Sequence, residues 1–381
     1  RRFAVEFGIK IENKGDLKIA EELGEAILKE FGQQEGELTL TKRAPKKQQE
    51  IWRKTNVSPR GIDIEVVQAM SRTHIGCDNE YKHVLEAAIR ASLVDGWGGS
   101  MIATELSDIL FGSPQPIRAE INLGVLKEDE VNILLHGHEP LLSDIIVTAS
   151  QDKEIQELVR KNGAKGINLS GICCTAAEVL MRHGVPMAGN FLQQELAIVT
   201  GAVEAMIVDI QCIMPSLPEV AKHYHTKLIS TSPKARFAGM EHIEFHEKEA
   251  MATAKKSLRI AIENYKNRDQ SKVNIPKEKM TLVAGFTMEN VFYNLGGSFR
   301  PSYRPLNDAI ISGRIRGVAG VVGCDNPKNK SGMCHADMVR ELIKNDVLVV
   351  QTGCSGGACA KAGLLTPEAA FKYAGEGLKE I

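Results

Sequence analysis

Soft metal-binding side chains recur in this chain in one local setting. Residues 168–179 read N-L-S-G-I-C-C-T-A-A-E-V. A short apolar run at 166–169 breaks at Ser170-Gly171, presents Cys173 and Cys174 side by side, and passes into a helix-patterned segment. Four other turns repeat the arrangement. His136-Gly137-His138 follows the apolar run 131–135, Cys212 follows 205–210, Cys324 follows 316–323, and Cys354 follows 346–352. Strand-to-helix turns of α/β folds gather at the carboxyl ends of the strands, where ligands bind. Thiolates select iron–sulfur, zinc or copper(I), and imidazole suits zinc, iron or nickel. Cys174, Cys212, Cys324 and Cys354 with one histidine of the His136/His138 pair exceed the four ligands of tetrahedral zinc and favour a multi-iron cluster; His138 could be that ligand or simply a turn residue bonded to backbone.

The remaining candidates read as structural. Cys77, Cys334 and Cys359 are expected to be small buried hydrophobes, as is Cys173, because neighbouring residues seldom point at one centre. His242 and His246 stand four apart like ligands on a helix, but their Glu-rich surroundings favour an exposed face. His74 has no visible partner. The glycine-rich stretches G-W-G-G (96–99) and G-C-S-G-G (353–357) match neither a dinucleotide fingerprint nor a P-loop. No G-x-S-x-G elbow is present, which disfavours an α/β-hydrolase.

These turns need elements to position them. In residues 1–113 the apolar spacing is helical: Ile19, Leu23, Ile27 and Phe31 share one face of a helix over 16–31, and 62–70, 83–94 and 101–111 continue the pattern. The basic stretch 42–47 reads as a solvated loop. Beyond Gly112-Ser113-Pro114, strands alternate with helices: strands at 131–135, 166–169, 205–210, 227–230, 280–286, 316–323 and 346–352, helices at 141–162, 176–183, 220–225, 249–265, 306–312 and 335–344. Near-continuous apolar strands between helices signal a parallel sheet covered on both faces. The expected fold is therefore α/β with a helical N-terminal region and two Rossmann-like parallel-sheet domains. Its divisions are a helical domain at 1–113, incomplete at its N-terminus, an α/β domain at 114–268, and a second at 269–381, truncated at its C-terminus. The polar segment 266–279 marks the second boundary. Two sheets with facing carboxyl edges would bring all five turns into one crevice.

The chain has 381 residues, 43% hydrophobic and 25% charged, with a formal net charge of -1. That balance argues against a nucleic-acid surface or an electrostatic membrane anchor. No apolar run approaches the roughly 18–20 residues that span a bilayer. Eight cysteines without a secretory signal or a C-x-x-C pair point to free thiols in a reducing, cytoplasmic compartment.

Taken together, H-G-H-E-P (136–140), G-I-C-C-T-A-A-E-V-L-M-R-H-G (171–184), D-I-Q-C (209–212), G-C-D-N (323–326) and T-G-C (352–354) resemble, in order and spacing, the catalytic subunit of the anaerobic nickel–iron carbon monoxide dehydrogenases. S-D-I-L-F-G-S-P-Q-P (107–116) and N-L-G-V-L-K (122–127) are similar too. The resemblance covers most of the chain from about residue 62. It implies a nickel–iron–sulfur C-cluster held between the two α/β domains, with His138 and Cys174 on the iron outside the cubane and Cys212, Cys324 and Cys354 on cluster iron or nickel. The implied reaction is reversible oxidation of CO with water to CO₂, two protons and two electrons, nickel taking CO and the outer iron activating water. It further implies 4Fe-4S clusters in the full-length protein, a ferredoxin-like electron acceptor, a homodimer, and in some members an acetyl-CoA synthase partner. The family's cysteine-rich N-terminal region, histidine relay, further cluster cysteine and catalytic lysine have no counterpart in these 381 residues. The piece alone is therefore expected to be inactive. A hybrid-cluster protein, which reduces hydroxylamine or nitric oxide, and a non-catalytic metal-binding relative are the alternatives. The first would place glutamates where H-G-H and C-C stand.

Overall fold

Helical apolar spacing builds the whole of the first unit. The computed structural model describes residues 1–297 and 301–381, which divide into the units Arg1–Gly112 and Ser113–Ile381. The first contains α1 (Arg2–Glu6), α2 (Asp16–Phe31), α3 (Lys46–Lys54), α4 (Ile62–Arg72), α5 (Tyr81–Val94) and α6 (Met101–Phe111), with a π-helical stretch at Asp95–Ser100 between the last two. Leu23 and Ile27 of α2 pack with Leu38, Leu40, Ile62, Val94 and Ile102. A Cβ at Gly98 would stand 2.9 Å from Ile62 Cγ1, so only glycine lets these helices approach. The stretch expected as a basic loop runs directly into α3. Lysines and glutamines disguise that helix, whose buried Trp52 meets Trp97 edge-on at 5.8 Å between ring centroids.

The second unit is α/β. Its large sheet contains β1 (Ile117–Ile121), β2 (Val131–Gly137), β3 (Ile167–Ile172), β4 (Met187–Gly189), β5 (Val203–Val208), β6 (Lys227–Ser230), β7 (Glu241–His242) and β8 (Met280–Ala284). The strands lie in the order β7-β6-β5-β2-β3-β4-β1-β8. Around them run α7 (Pro140–Ser150), α8 (Lys153–Lys161), α9 (Cys173–His183), α10 (Gln194–Val199), α11 (Leu217–Ala221) and α12 (Ala250–Asn264). After β8 come α13 (Met288–Gly296), α14 (Arg304–Ile311), β9 (Gly317–Val322), α15 (Met333–Lys344), β10 (Val347–Thr352) and α16 (Gly353–Lys361). Strands β9 and β10 form a separate two-stranded parallel sheet.

Strands β2 and β5 are buried along their whole length, as strands covered on both faces must be. Ile133, Leu135, Ala205 and Ile207 pack on one face with Ile146, Ile155, Leu258 and Ile262 of the helices. Their alternates Leu134, Met206 and Val208 pack on the other with Leu217 and Leu228. From β2 the chain winds through β3 and β4, then crosses back to lay β5, β6 and β7 on the opposite side. The switch point thus lies between β2 and β5, and the crevice outside their carboxyl ends is where such sheets bind ligands.

Two expectations change. Strand 280–284 does not open a second parallel sheet; it pairs antiparallel with β1 at the edge of the large one, which makes that sheet mixed rather than wholly parallel. The helix expected over 141–162 is two, because Asp152 stops one and caps the next, accepting from Glu154 N at 2.9 Å. The polar segment 266–279 is pinned to the sheet by buried Arg268, which grips both carboxylate oxygens of Glu204 at 2.7 Å.

Candidate metal centre

Each of the five turns carries a left-handed residue. Gly137 (φ +138) precedes His138, Cys173 (φ +65) precedes Cys174, Gln211 (φ +61) precedes Cys212, Gly323 (φ +116) precedes Cys324, and Gly353 (φ +63) precedes Cys354. Cys212 itself is at +56. Such a residue turns the chain sharply where the strand ends and throws the next side chain out over the sheet edge. Where it is not glycine, as at Cys173, Gln211 and Cys212, it costs of order 1–3 kcal/mol and marks a constrained site.

His138 sits at the switch point. Its Nδ1–H donates to the Ile210 carbonyl at 3.1 Å, which leaves the Nε2 lone pair free, 3.9 Å from Cys212 Sγ. This is the arrangement of a ligating imidazole, held by a backbone carbonyl on the far nitrogen. Burial lowers its pKa and the Ile210 carbonyl partly restores it, so the ring is neutral at neutral pH. His136, the other histidine of the motif, is fully buried and points at Gln194, Nε2 to Oε1 2.9 Å. Burial takes its pKa down to about 4. Gln194 in turn donates to the carbonyls of Phe191 and Cys212, at 2.7 and 2.9 Å, and receives Met214 N at 3.0 Å. His136 thus steadies the Cys212 turn through one amide.

The cysteines are brought near one another by their turns. Cys174 lies in the first turn of α9 and Cys354 in the first turn of α16, and neither helix has a side-chain cap. The first turn of α16 is held by backbone instead, Ser355 N donating to the Gly323 carbonyl at 3.1 Å, and both helices present the partial positive charge of their N-termini beside the thiols. Burial, with Cys354, Cys212 and Cys324 adding to it, pushes the Cys174 thiol up to about 11. Burial and Cys324 likewise raise Cys212. Cys354 is raised by burial, against a hydrogen bond from the Asp325 backbone. Cys174, Cys212 and Cys354, whose ionisation is opposed by burial and by neighbouring thiols, need a cation to become thiolates together, and a metal supplies one while releasing their protons. Among the described residues, no three His, Cys, Asp or Glu side chains close on a point that would hold a single metal ion.

Of the residues read as structural, Cys359 is buried as expected, its Sγ accepting from Gln351 Nε2 at 3.0 Å. Cys173 is buried too, but it also faces the other thiols: burial raises its pKa strongly, and Cys212, Cys354 and Cys174 add to the effect. Cys77 and Cys334 are exposed, contrary to expectation, because each lies on a polar surface stretch. His74 and His246 are exposed. His242 is on edge strand β7 rather than a helix. The sequence reading passed over Asp209, Gln194, Asn190, Asp325 and Lys361. Asp209 Oδ1 accepts from His138 N at 2.7 Å and Oδ2 from Thr175 Oγ1 at 3.1 Å. Asn190 Nδ2 reaches Asp325 Oδ2 at 3.3 Å, and Lys361 Nζ donates to Gln193 Oε1 at 3.0 Å, so the loop after β4 is tied to the turn after β9 and to the C-terminal end of α16. The one signal for Asp209 was a carboxylate ending an apolar strand three residues before Cys212.

A model of the Prismane/CO dehydrogenase family matches residues 1–381. The chain belongs to the Prismane/CO dehydrogenase family. Over 378 residues it is 55% identical to carbon monoxide dehydrogenase 1 of Methanosarcina mazei, covering 99% of this chain and 59% of that protein. It is 45% identical to the carbon monoxide dehydrogenase/acetyl-CoA synthase subunit beta of Moorella thermoacetica, covering 98% of this chain and 56% of that one. An as-isolated, nickel-free crystal structure of carbon monoxide dehydrogenase from Thermococcus sp. AM4 superposes with a TM-score of 0.95 at 52% identity, over 100% of this chain and 59% of that one. The chain therefore spans about three-fifths of the length of these family members.

Proposed function

We propose that this chain is the portion of an anaerobic nickel–iron carbon monoxide dehydrogenase that carries most of the ligands of its nickel–iron–sulfur C-cluster. The full-length enzyme would convert CO and water reversibly to CO₂, two protons and two electrons. The observation that carries the reading is the left-handed residue set immediately before each of His138, Cys174, Cys212, Cys324 and Cys354, at five strand ends.

In this reading those five residues hold the cluster. When bound, the cluster supplies what side chains lack: a soft site for CO, a Lewis-acidic iron for water, and a reservoir for two electrons. The chain's own residues do the rest. Ile210's carbonyl keeps the His138 proton on Nδ1, so that Nε2 is available to metal. The N-termini of α9 and α16 offset the charge of a thiolate-rich centre. His136 and Gln194 hold the Cys212 turn in register.

The full-length protein would be a cytoplasmic homodimer with additional 4Fe-4S clusters and a ferredoxin-like electron acceptor. The likeness to the Moorella thermoacetica subunit supports an acetyl-CoA synthase partner. All eight cysteines are free thiols, which fits a reducing compartment, and no helix among the described residues is long and apolar enough to cross a membrane. We further propose that the second unit comprises two Rossmann-like domains, one around each sheet, with β8 returning to the first.

The test is CO-dependent reduction of methyl viologen by the anaerobically purified full-length protein, together with its nickel and iron content. Activity with both metals present is the expected result. Iron without nickel, with hydroxylamine reduction, would favour a hybrid-cluster protein. Nickel without CO oxidation would favour a non-catalytic relative.

A further inference from the structure

Asp209 ends β5 at the switch point, and its side chain is buried, with 9% of the residue exposed. Its Oδ1 receives the backbone N–H of His138 at 2.7 Å and that of Ile210. The Glu139 backbone N–H also helps hold the Asp209 pKa down against burial. Its Oδ2 receives Thr175 Oγ1 at 3.1 Å from the first turn of α9, next to Cys174. A carboxylate accepts at about four sites and donates at none, which suits this set of three donors. The Ile210 peptide that Asp209 holds by its N–H is flanked by the carbonyl that orients the His138 imidazole. Gly137 completes the fit: a Cβ there would lie 1.7 Å from Asp209 Oδ1, so the loop is bare where the carboxylate passes.

We propose that Asp209 is the positioning residue of the metal centre, one carboxylate that sets the His138 imidazole and the Cys174 helix against the Cys212 turn. The proposal rests on the metal-site reading above. Asp209 touches no substrate or reacting atom; it acts through the ligands. In the metal-site reading His138 and Cys174 would hold the same iron, and Asp209 is bonded both to the His138 loop and to the residue after Cys174.

The test compares Asp209→Asn, Asp209→Ala and Thr175→Val in the anaerobically purified full-length protein enriched in ⁵⁷Fe. Iron and nickel contents, the rate of iron loss to a chelator, and the Mössbauer spectrum are read beside the thermal melt. Asp209→Ala is expected to weaken iron retention by roughly 10–100-fold, the usual range for an outer-shell partner, and to change the spectrum of the iron that His138 holds. Asp209→Asn keeps an oxygen for the backbone donors and an amide that the Thr175 hydroxyl can turn to accept, and is expected to restore both. A folded Asp209→Ala protein with the parent's iron retention and spectrum overturns the proposal. Should Asp209→Ala not fold, Thr175→Val decides: faster iron loss supports the clamp, and the parent's rate overturns it. A parent protein that itself binds neither iron nor nickel overturns the metal-site reading instead.

Discussion

Gly137→Ala is the smallest perturbation that reaches the centre of this site. The new Cβ would stand 1.7 Å from Asp209 Oδ1 and 2.4 Å from Asp209 Cγ, on a backbone at φ +138 that an L-residue rarely adopts. Something must move, and both routes are costly. If the carboxylate withdraws, the 2.7 Å bond from His138 N is lost, and a hydrogen bond to a charged group is worth roughly 1.5–3 kcal/mol. If the backbone stays, the strain adds of order 1–3 kcal/mol. Because the positive φ persists even when the carboxylate withdraws, the two costs add to about 2.5–6 kcal/mol, or a melting temperature lower by ~10 °C in a unit of this size. Gly163→Ala is the control, because Gly163 also has a positive φ, +86, but nothing lies within 4 Å of its Cβ. It should cost only about 1 kcal/mol, from backbone strain alone. Urea unfolding of the metal-free 381-residue chain with both variants measures the difference. Equal costs for the two substitutions would refute the close approach of Asp209 to Gly137.

Arg268→Ala removes a guanidinium with no side-chain exposure and leaves Glu204, also unexposed, with His225 Nε2 at 2.9 Å and Asn132 N at 2.6 Å. Stranding half of a buried pair costs about 3–5 kcal/mol, and a urea midpoint close to the parent's would show that the segment around residue 268 is not anchored. Burial pushes the Glu65 carboxyl up, but the Arg60 side chain and backbone, with Arg90, hold it below the usual carboxylate range. The unfolded state therefore binds more protons in acid, so this stabilisation is complete above the ordinary carboxylate pKa of about 4.3 and fades as pH falls below it. Melting of Glu65→Gln should show a flatter acid limb than the parent; identical limbs would refute the assignment. Cys354→Ser in the full-length protein should lose iron, whereas Cys359→Ser, buried against Gln351, should keep it; parallel losses would mean that Cys354 has no special role.

What the sequence made legible was the repeating pattern of strand, turn and soft ligand. The helices over 16–31 and 101–111 and the strands leading to His138, Cys212, Cys324 and Cys354 are where the periodicity places them, because β2 and β5 are mostly apolar and the helices have one apolar stripe. Strands β1, β4 and β7 escaped notice. Two are shorter than four residues, and β1 (I-R-A-E-I) alternates with charge at an edge of the parallel set. The partner of 280–284 lay some 160 residues earlier in the chain and had no local signal. Helix α3 was hidden by its lysines, since a single buried Trp52 is too little apolar surface to show a stripe. In the site, thiols and imidazole announce their chemistry by type. Asp209, Gln194 and Lys361 do not, because their work depends on hydrogen bonds to backbone or to distant loops that only the fold creates.

The central claim is that five turns, from two sheets, supply one metal centre. Anomalous diffraction at the iron and nickel edges, on crystals of the anaerobically purified full-length protein, tests it most directly. Iron and nickel peaks grouped within bonding distance of His138, Cys174, Cys212, Cys324 and Cys354 are the predicted result. Peaks absent there, or confined to other parts of the protein, would contradict it.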